Sequence, residues 1–280
     1  MSKFSIVLQH LTPQHFLSRL VGVVASSRIR WIKNLFIATI IKIFKVDLSE
    51  AEREDYRDYE TFNDFFTRTL KPDARSVNGA VCSPAEGLVS ACGDIDGNKL
   101  IQAKGKHYTL EKLLANAAAA DKFRDGSFVT IYLSPKDYHR VHCPLGGTIQ
   151  SGTYVPGKLF SVNKATTEAV DDLFAINERY VMYFDTAQGA MAVIMVGAMI
   201  VAGIRPAWQT DVFPAGKFSN EVFEPAKSMA QGDELGSFLM GSTAIVLLEQ
   251  RVHWEIEANQ SVKLGDPLVA KMDETGHRSG

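Results

Sequence analysis

The chain has 280 residues, of which 46% are hydrophobic and 22% charged, which is typical of a folded protein and excludes a disordered chain. This length fits one large domain or one domain with an appendage, and we predict the second arrangement. The small formal net charge of −2 excludes a strongly basic protein as a whole, but the charge is unevenly distributed along the sequence.

The basic charge is concentrated at the start of the chain. Residues 1–46 carry seven Lys or Arg and no acid, and the remaining 23 basic and 32 acidic residues give the rest a formal charge of −9. A basic arm on an acidic body indicates an anionic partner for the arm, either a nucleic acid or an anionic membrane surface.

The first 75 residues have the pattern of a helical region. Thr12 before Pro13 predicts a helix start, because proline is favoured at the first helical position. Residues 29–46 mix aromatic and aliphatic residues with Lys and Arg, which predicts a basic amphipathic helix. Such a helix can lie at an anionic membrane surface, and the alternative is that its apolar face packs on the body.

Two further helices are predicted before this region ends. Ser49 and Glu52 form a capping-box pattern that predicts a short helix. An aromatic segment that begins at Tyr59 predicts a helix that ends before Pro72.

From Val81 onward the chain consists of short β-rich segments separated by Gly and Pro, with one helical interruption that begins at Thr109. The clearest strand segments are residues 127–133, 179–185, 191–204 and 243–249. We therefore predict an α+β fold in which N-terminal amphipathic helices lie on a largely antiparallel β barrel or sandwich core.

The three cysteines show neither the paired spacing of a zinc site nor a redox CxxC motif. The first residues also lack the long apolar core of a secretory signal, and the apolar stretch at 35–41 is too short to span a bilayer. We therefore expect a protein of the reducing cytoplasm.

A first candidate for chemistry is the Gly241–Ser242 pair, at the point where an apolar run becomes a strand. In a strained turn the Ser242 hydroxyl could attack the unhindered Gly241 carbonyl and form an ester in the main chain. Elimination and hydrolysis would then leave a pyruvoyl group at the start of residues 242–280. By itself, however, such a pair is more often only a turn.

Two histidines and one acid are the other candidates. His139 and His142 follow the strand 127–133, and imidazoles at this spacing suit metal ligation or acid–base catalysis. Residues three apart on a strand face opposite sides, which argues against joint ligation unless the segment bends. Glu86 lies in a Pro-x-acid-Gly turn, where it could orient a histidine or be an ordinary solvated acid.

Taken together, several segments resemble the bacterial phosphatidylserine decarboxylase family over nearly the whole chain. They include FNDFFTRTLKPDAR, SPAEGLVS, YLSPKDYHRVHCP, YVPGKLFSVN, LFAINER and KSMAQGDELGSFLMGST. The resemblance implies that Ser242 is the nucleophile of self-cleavage and the precursor of the pyruvoyl group. It implies that His142 is the base for Ser242, that Glu86 supports His142, that His139 assists proton transfer during decarboxylation, and that Ser161 lies near the lipid headgroup.

The resemblance also implies the reaction and its setting. The amine of phosphatidylserine would form a Schiff base with the pyruvoyl group, and phosphatidylethanolamine would be released after loss of carbon dioxide, without a metal. We expect a membrane-associating helical region, 1–75, and a catalytic domain of the sandwich-hybrid type, 76–280, cleaved after Gly241. The expected partners are phosphatidylserine, an anionic membrane, the cleaved small chain and a second copy in a homodimer, but no nucleic acid. The expected location is peripheral, on the cytoplasmic face of the inner membrane.

One departure leaves other hypotheses open. Position 86 is Glu, whereas the family pattern has Asp, and a catalytic group displaced by about 1 Å can lose on the order of a hundredfold in rate. A processing-deficient relative that acts as a lipid-binding or scaffold protein is therefore an alternative. A third hypothesis is a zinc site formed by His107, His139, His142 and Glu86.

Overall fold

The structure is a computed structural model that describes residues 21–103, 105–199, 203–214, 216–239 and 242–272. The predicted helix start at Thr12 lies outside these residues. The amphipathic helix predicted over residues 29–46 is confirmed as α1 (Arg30–Phe44), which ends where Lys45 adopts a left-handed conformation. Among the described residues, no helix is both long and apolar enough to cross a membrane.

One face of α1 packs on the protein and the other is exposed. Ile37 is fully buried, and the buried Lys33 ammonium donates hydrogen bonds to the Arg57 and Tyr59 carbonyls, which compensates for the loss of water around its charge. Trp31 is 70% exposed on the other side of the helix. Phe36 and Ile37 of α1 pack on an aromatic cluster formed by Tyr59, Phe62, Phe65 and Phe66.

The segment after α1 differs from the prediction. The capping-box helix at Ser49 is not formed, because its backbone and side chains pair with residues further along the chain. Ala51 forms an antiparallel bridge with Leu70, and the Glu52 carboxylate accepts a hydrogen bond of 2.6 Å from the Thr69 hydroxyl. The short helices here are a 3-10 helix (Tyr56–Asp58) and α2 (Phe62–Phe66).

Helix α2 is shorter than predicted, with its last residue at Phe66. The Thr61 hydroxyl caps its start by accepting a hydrogen bond from the Asp64 N–H at 3.0 Å. After its end, the Thr67 carbonyl accepts two hydrogen bonds from Arg140, and this long-range contact leads the chain away from the helix axis.

The body is built around an eight-stranded sheet in which every neighbouring pair is antiparallel. From one edge to the other, its strands are β11 (Ser219–Met229), β7 (Gly147–Val155), β8 (Arg179–Thr186), β9 (Gly189–Gly197), β13 (Ser242–Leu248), β5 (Ser127–Leu133), β2 (Gly87–Asp94) and β14 (Ser261–Val262).

The described residues also form three smaller sheets. One has three strands, in the order β10 (Ile204–Pro206), β12 (Glu234–Phe238) and β6 (Arg140–His142). The other two are pairs, β1 (Val81–Cys82) with β15 (Pro267–Val269), and β3 (Lys99–Ala103) with β4 (Lys106–Thr109).

The large sheet has an apolar core on each face, because side chains alternate along its buried central strands. On β13, Ala244 and Val246 belong to one core, and Ile245 and Leu247 belong to the other. Residues of the three-stranded sheet join the first core. Three short helices contribute to the second: α3 (Leu110–Leu114), α4 (Ala117–Asp121) and α6 (Leu173–Ile176). A further short helix, α5 (Lys164–Ala169), precedes α6.

These observations confirm the α+β class and the antiparallel sheet. They do not confirm a barrel, because the large sheet is open and ends at β11 on one side and at β14 on the other. The helix predicted from Thr109 is formed as two helices, since Ala115 is left-handed and the Asn116 side chain caps a new start. The division into regions 1–75 and 76–280 stays a prediction.

Candidate active site

Ser242 lies at one end of the three central strands of the large sheet. It is the first residue of β13, and its register partners are Leu133, the last residue of β5, and Gly197, the last residue of β9. Its side chain is fully buried, and its Oγ has no hydrogen-bond partner within the described structure. A buried hydroxyl without a partner is costly, which is a reason to look for a chemical role. Gly241, the other side of the predicted cleavage point, lies outside the described residues.

His139 lies at the same end of the sheet, in the loop that follows β5. Its carbonyl accepts a hydrogen bond of 3.0 Å from the Phe238 N–H, and Phe238 precedes Ser242 by four residues. The His139 ring is fully buried against the Phe66 ring, with a centroid distance of 4.0 Å. Burial, aided by the charge of Arg68, lowers the His139 pKa to about 3 against the opposing effect of its hydrogen bond to the Asp137 carbonyl.

The hydrogen bonds of His139 define its neutral form. Nδ1 lies 2.8 Å from the Asp137 carbonyl oxygen, and because a carbonyl can only accept, Nδ1 carries the proton. Nε2 therefore has the lone pair, and it is buried without a partner in the part of the chain that the structure describes. Nε2 is therefore a buried site that can accept a proton, although burial disfavours the protonated ring.

His142 lies on β6 and has partners for both ring nitrogens. Nδ1 donates to the Gly232 carbonyl at 2.8 Å, and Nε2 is 3.2 Å from the Tyr138 hydroxyl. Burial lowers the His142 pKa, against the opposing effect of the Gly232 hydrogen bond. The ring is therefore neutral near pH 7, and its basic nitrogen accepts a hydrogen bond from Tyr138.

Glu86 lies in the turn before β2 and is paired with Arg75, whose guanidinium also binds the Glu50 carboxylate at 2.7 Å. The hydrogen bond from Arg75 lowers the Glu50 pKa to about 2. No hydrogen bond joins Glu86 to His142, or His142 to Ser242, in the described residues. The structure therefore brings Ser242 and His139 to one end of the sheet without forming the hydrogen bonds expected of a Glu86–His142–Ser242 triad.

Two cavities lie along the surface next to this end of the sheet. The larger, of about 640 Å³, is lined by Glu86, Asp137, Lys136 and Lys263 among others. The smaller, of about 230 Å³, shares Leu88 and Tyr132 with the larger one, so the two are adjacent, and we refer to them together as the groove. The full lining of the groove also includes Gly87, Ser134, Ser261, Val262, Asp266, Ser90, Gln102, Ala103, Val162, Lys164, Thr167, Glu168 and Asn259.

The groove is connected to Ser242 through β5. Tyr132 and Ser134 line the groove, and Leu133 between them is the register partner of Ser242. The Asp137 carboxylate at the groove accepts hydrogen bonds of 2.7 Å from the N–H and the hydroxyl of Ser134. Burial raises the Asp137 pKa despite these two bonds.

Ser161 lies beside the smaller cavity, next to its lining residue Val162. The Ser161 hydroxyl accepts a hydrogen bond of 2.7 Å from the Asn163 side chain. The buried Asn177 side chain binds both backbone groups of Phe160 and also donates to the Gly197 carbonyl at 2.8 Å. Because Gly197 pairs with Ser242, Asn177 connects the Ser161 loop with the strand end that carries the predicted cleavage point.

Sequence reasoning did not single out Arg68, Arg75, Tyr138 or Asn177, although each binds a candidate site residue or a neighbour of one. Each lies inside a segment quoted for the family resemblance, and Tyr138 lies between the two candidate histidines. A charged residue next to an aromatic run, as at Arg68, could have marked a buried cation. Its acceptors are backbone carbonyls, however, and these give no signal in a sequence.

Comparison with known proteins supplies the decisive observation. The family model described as phosphatidylserine decarboxylase matches residues 62–270, and a second model, described as PSD, matches residues 4–45. The chain belongs to the phosphatidylserine decarboxylase family. A phosphatidylserine decarboxylase proenzyme of Ectopseudomonas mendocina is 49% identical over 275 residues, covering 94% of this chain and 96% of the relative. One of Alcanivorax borkumensis is 50% identical over 286 residues, covering 98% of each chain.

Membership of the phosphatidylserine decarboxylase family agrees with the site and not with the zinc hypothesis. In the described ranges, no group of three or more His, Cys, Asp or Glu side chains is arranged to hold a metal ion. His107 is exposed on β4, whereas His139 is fully buried, so the proposed zinc ligands do not come together. The relatives' names, which include the word proenzyme, describe precursors and do not support the scaffold alternative.

Proposed function

We propose that the chain converts phosphatidylserine to phosphatidylethanolamine and makes its own pyruvoyl group by cleavage between Gly241 and Ser242. The observation that carries this proposal is the fully buried Ser242, whose Oγ has no partner in the described structure and which starts a central strand. His139, with an equally unpartnered Nε2, lies at the same strand end. Family membership supports the substrate, and the relatives' proenzyme names support the cleavage.

In the proposed self-cleavage, the Ser242 hydroxyl attacks the Gly241 carbonyl and transfers its proton to a histidine. The acyl group moves from nitrogen to oxygen, and loss of the Ser242 α-proton expels the Gly241 carboxylate and leaves dehydroalanine. Water then converts dehydroalanine to pyruvoyl and releases ammonia. We assign the base role to His142 with Glu86 as its support. This assignment requires that the Tyr138 hydroxyl give up its contact with Nε2, and that Glu86 replace its contact with Arg75, and His142 Nδ1 its contact with the Gly232 carbonyl, by a contact with each other.

The residues present fit a pyruvoyl group at position 242. The position is buried at the start of β13, and the apolar core residues next to it exclude water from a ketone there. When bound, such a group supplies an electron-withdrawing carbonyl for the substrate amine. The chain itself moves the proton: His139 Nε2 would accept one from the substrate ammonium and return it to the α-carbon after carbon dioxide leaves.

The groove beside Glu86 suits the lipid substrate. Lys136 and Lys263 supply cations for a phosphodiester at the larger cavity, whose lining also holds the acids Glu86, Asp137 and Asp266. Leu88 and Tyr132 provide apolar contact along the groove. Ser161, next to the smaller cavity, is the proposed headgroup contact. These features support phosphatidylserine over a small soluble amino acid, because an isolated amino acid would fill only a small part of the groove.

We further propose a peripheral position on the cytoplasmic face of the inner membrane. Apolar side chains of α1 and its flanks are exposed, and Trp31, Leu35 and Ile43 are each at least 64% exposed. The neighbouring charges are basic, which matches anionic lipid headgroups. No stacking motif suggests a nucleic acid instead, and a homodimer stays a prediction.

The test measures the intact mass of the purified protein under denaturing conditions and carbon dioxide release from phosphatidylserine vesicles. Two chains, residues 1–241 and a pyruvoyl-blocked 242–280, together with carbon dioxide release, are the expected result. H142Q is expected to block cleavage, and H139Q to allow cleavage but slow decarboxylation on the order of a hundredfold or more. A persistent single chain that binds vesicles normally would reject the proposal and favour a scaffold role.

A further inference from the structure

The N-terminal region makes a reciprocal contact with the loop that carries His139. We define this contact by residues 66–68, at the end of α2, and residues 136–140. The Arg68 Nη2 donates to the Lys136 and Asp137 carbonyls at 2.9 and 3.2 Å. In return, the Arg140 guanidinium donates two hydrogen bonds of 3.0 and 2.8 Å to the Thr67 carbonyl.

His139 lies at the centre of the reciprocal contact. Its ring packs on Phe66, and its Nδ1–H donates to the same Asp137 carbonyl that accepts from Arg68. The position of that carbonyl therefore fixes which nitrogen of His139 is protonated, and Arg68 fixes the position of the carbonyl.

Arg68 is only 4% exposed, and two of its nitrogens, Nε and Nη1, are buried without a partner in the described parts of the chain. A purely structural arginine is expected to use its donors more fully, because each unpaired buried donor destabilises the fold. The burial of the Arg68 charge is explained if its electrostatic field acts on the protonation of a neighbouring side chain. Besides Arg68, the charged and titratable groups at or near this loop include Lys136, Asp137, Arg140, its ion-pair partner Glu234, Glu86, Tyr59 and Tyr138.

We propose that Arg68 is a positioning residue for His139, so that the N-terminal region orients the proton-transfer group as well as attaching the protein to a membrane. The reciprocal contact holds the loop in place, and the Arg68 charge adds to the effect of burial in keeping the His139 ring neutral, with the lone pair on Nε2. This inference rests on the proposed function, in which His139 transfers the proton of decarboxylation.

The test compares R68Q and R68K with R53Q. Arg53 is a matched control, because it forms a two-bond ion pair with Asp64 in the same region but has no contact with the His139 loop. Decarboxylation is measured per pyruvoyl-blocked small chain over a range of pH. We expect R68Q to lower kcat about tenfold or more with a smaller change in KM, and to shift the acid limb of its pH profile to higher pH. R68K retains the charge and is expected to keep the wild-type acid limb at a reduced rate, and R53Q to match the wild type.

A second readout does not depend on activity. Histidine 15N spectra of the S242A precursor, assigned with H139Q, report the protonation of His139 directly. In the precursor and in its R53Q form, we expect the His139 ring to stay neutral, with its proton on Nδ1, at pH values well below 6. In the R68Q form, we expect the pKa of His139 to be roughly one unit higher. Unchanged His139 titration and kcat in R68Q would overturn the proposal. An inactive wild type with the expected titration shift would instead reject the proposed function and keep the positioning role.

Discussion

Two buried arginines show how the supporting part of this fold differs from its candidate active site. Arg179 is the first residue of β8, and each of its three guanidinium nitrogens donates to backbone carbonyls, including Leu113, Lys112 and Ala175. These carbonyls belong to α3 and α6, so Arg179 satisfies acceptors that the helices themselves leave unpaired. Arg68 is buried to the same degree but uses only one of its three nitrogens within the described structure.

The difference indicates which buried polar groups hold the fold and which serve chemistry. Gln102 and Asn177, near Arg179, also use both donor and acceptor atoms of their side chains. His139 and Ser242, by contrast, each present a buried atom without a partner in the described residues. Fully satisfied buried groups stabilise one conformation, whereas unsatisfied ones are costly, and at His139 and Ser242 the proposed chemistry accounts for that cost. A missing partner alone does not mark a catalytic group, because Asn34, Asn63 and Thr243 also have buried oxygens without a partner in the described residues.

The largest expected effect tests this distinction at adjacent residues. Ser242 and Thr243 both have buried hydroxyls without partners in the described ranges, but their side chains alternate to opposite faces of the sheet. We expect S242A to abolish self-cleavage, because the nucleophile is removed. T243V keeps the shape of the side chain, removes an unpaired hydroxyl, and is expected to leave cleavage intact. Denaturing mass measurements over time decide between these outcomes, and equal cleavage in the two variants would contradict the assignment of Ser242.

A second prediction compares the two arginines through the free energy of unfolding. R179Q removes several hydrogen bonds that the charged guanidinium donates and leaves buried carbonyls unpaired. We therefore expect the free energy of unfolding to fall by about 3–5 kcal/mol. R68Q leaves fewer acceptors unpaired and is expected to lose about half as much or less. Denaturant unfolding of both variants in the S242A background, which keeps the chain uncleaved, measures the difference. A larger loss in R68Q would show that Arg68 is mainly structural.

The elements that could be predicted from the sequence are those in which local pattern and packing agree. The strand segment 127–133 coincides with β5, and the helix predicted over residues 29–46 has its ends within two residues of α1. The helix at Ser49 failed because Glu52, whose side chain can cap a helix, instead accepts from Thr69, and no local pattern reports a partner so far along the chain.

The candidate site shows the same limit. The motif order was enough to select Ser242, His139, His142 and Glu86, and the structure places the first two at one strand end. Their hydrogen bonds could not be predicted, because most acceptors are backbone carbonyls. The partner of Glu86 in the structure is Arg75, from the end of the N-terminal region, and not a histidine.

A third prediction uses the pH dependence of stability. The His139 pKa of about 3 in the folded state lies below its ordinary value of 6.5, so between these values the unfolded chain binds a proton that the folded chain excludes. Stability is therefore lost as pH falls below 6.5, by on the order of 3 kcal/mol near pH 4. Asp137, whose pKa is raised by burial, opposes this trend, so the quantity to compare is the difference between wild type and H139Q. Unfolding curves at several pH values are expected to show a shallower acid loss in H139Q, and parallel curves would contradict a neutral, buried His139.

The smallest expected effect applies the comparison to apolar surface. Ile37 of α1 is fully buried, whereas Trp31 and Leu35 on the same helix are 70% and 64% exposed, which agrees with the proposed contact of this face with a membrane. Replacing both with Ala is expected to weaken partition to phosphatidylserine-containing vesicles about five- to tenfold at unchanged unfolding free energy, because apolar area is lost only from the bound state. I101A is a matched control, since Ile101 is 44% exposed on β3, outside the helix. Equal partition of both variants in a sedimentation assay would show that α1 does not bind the membrane through this face.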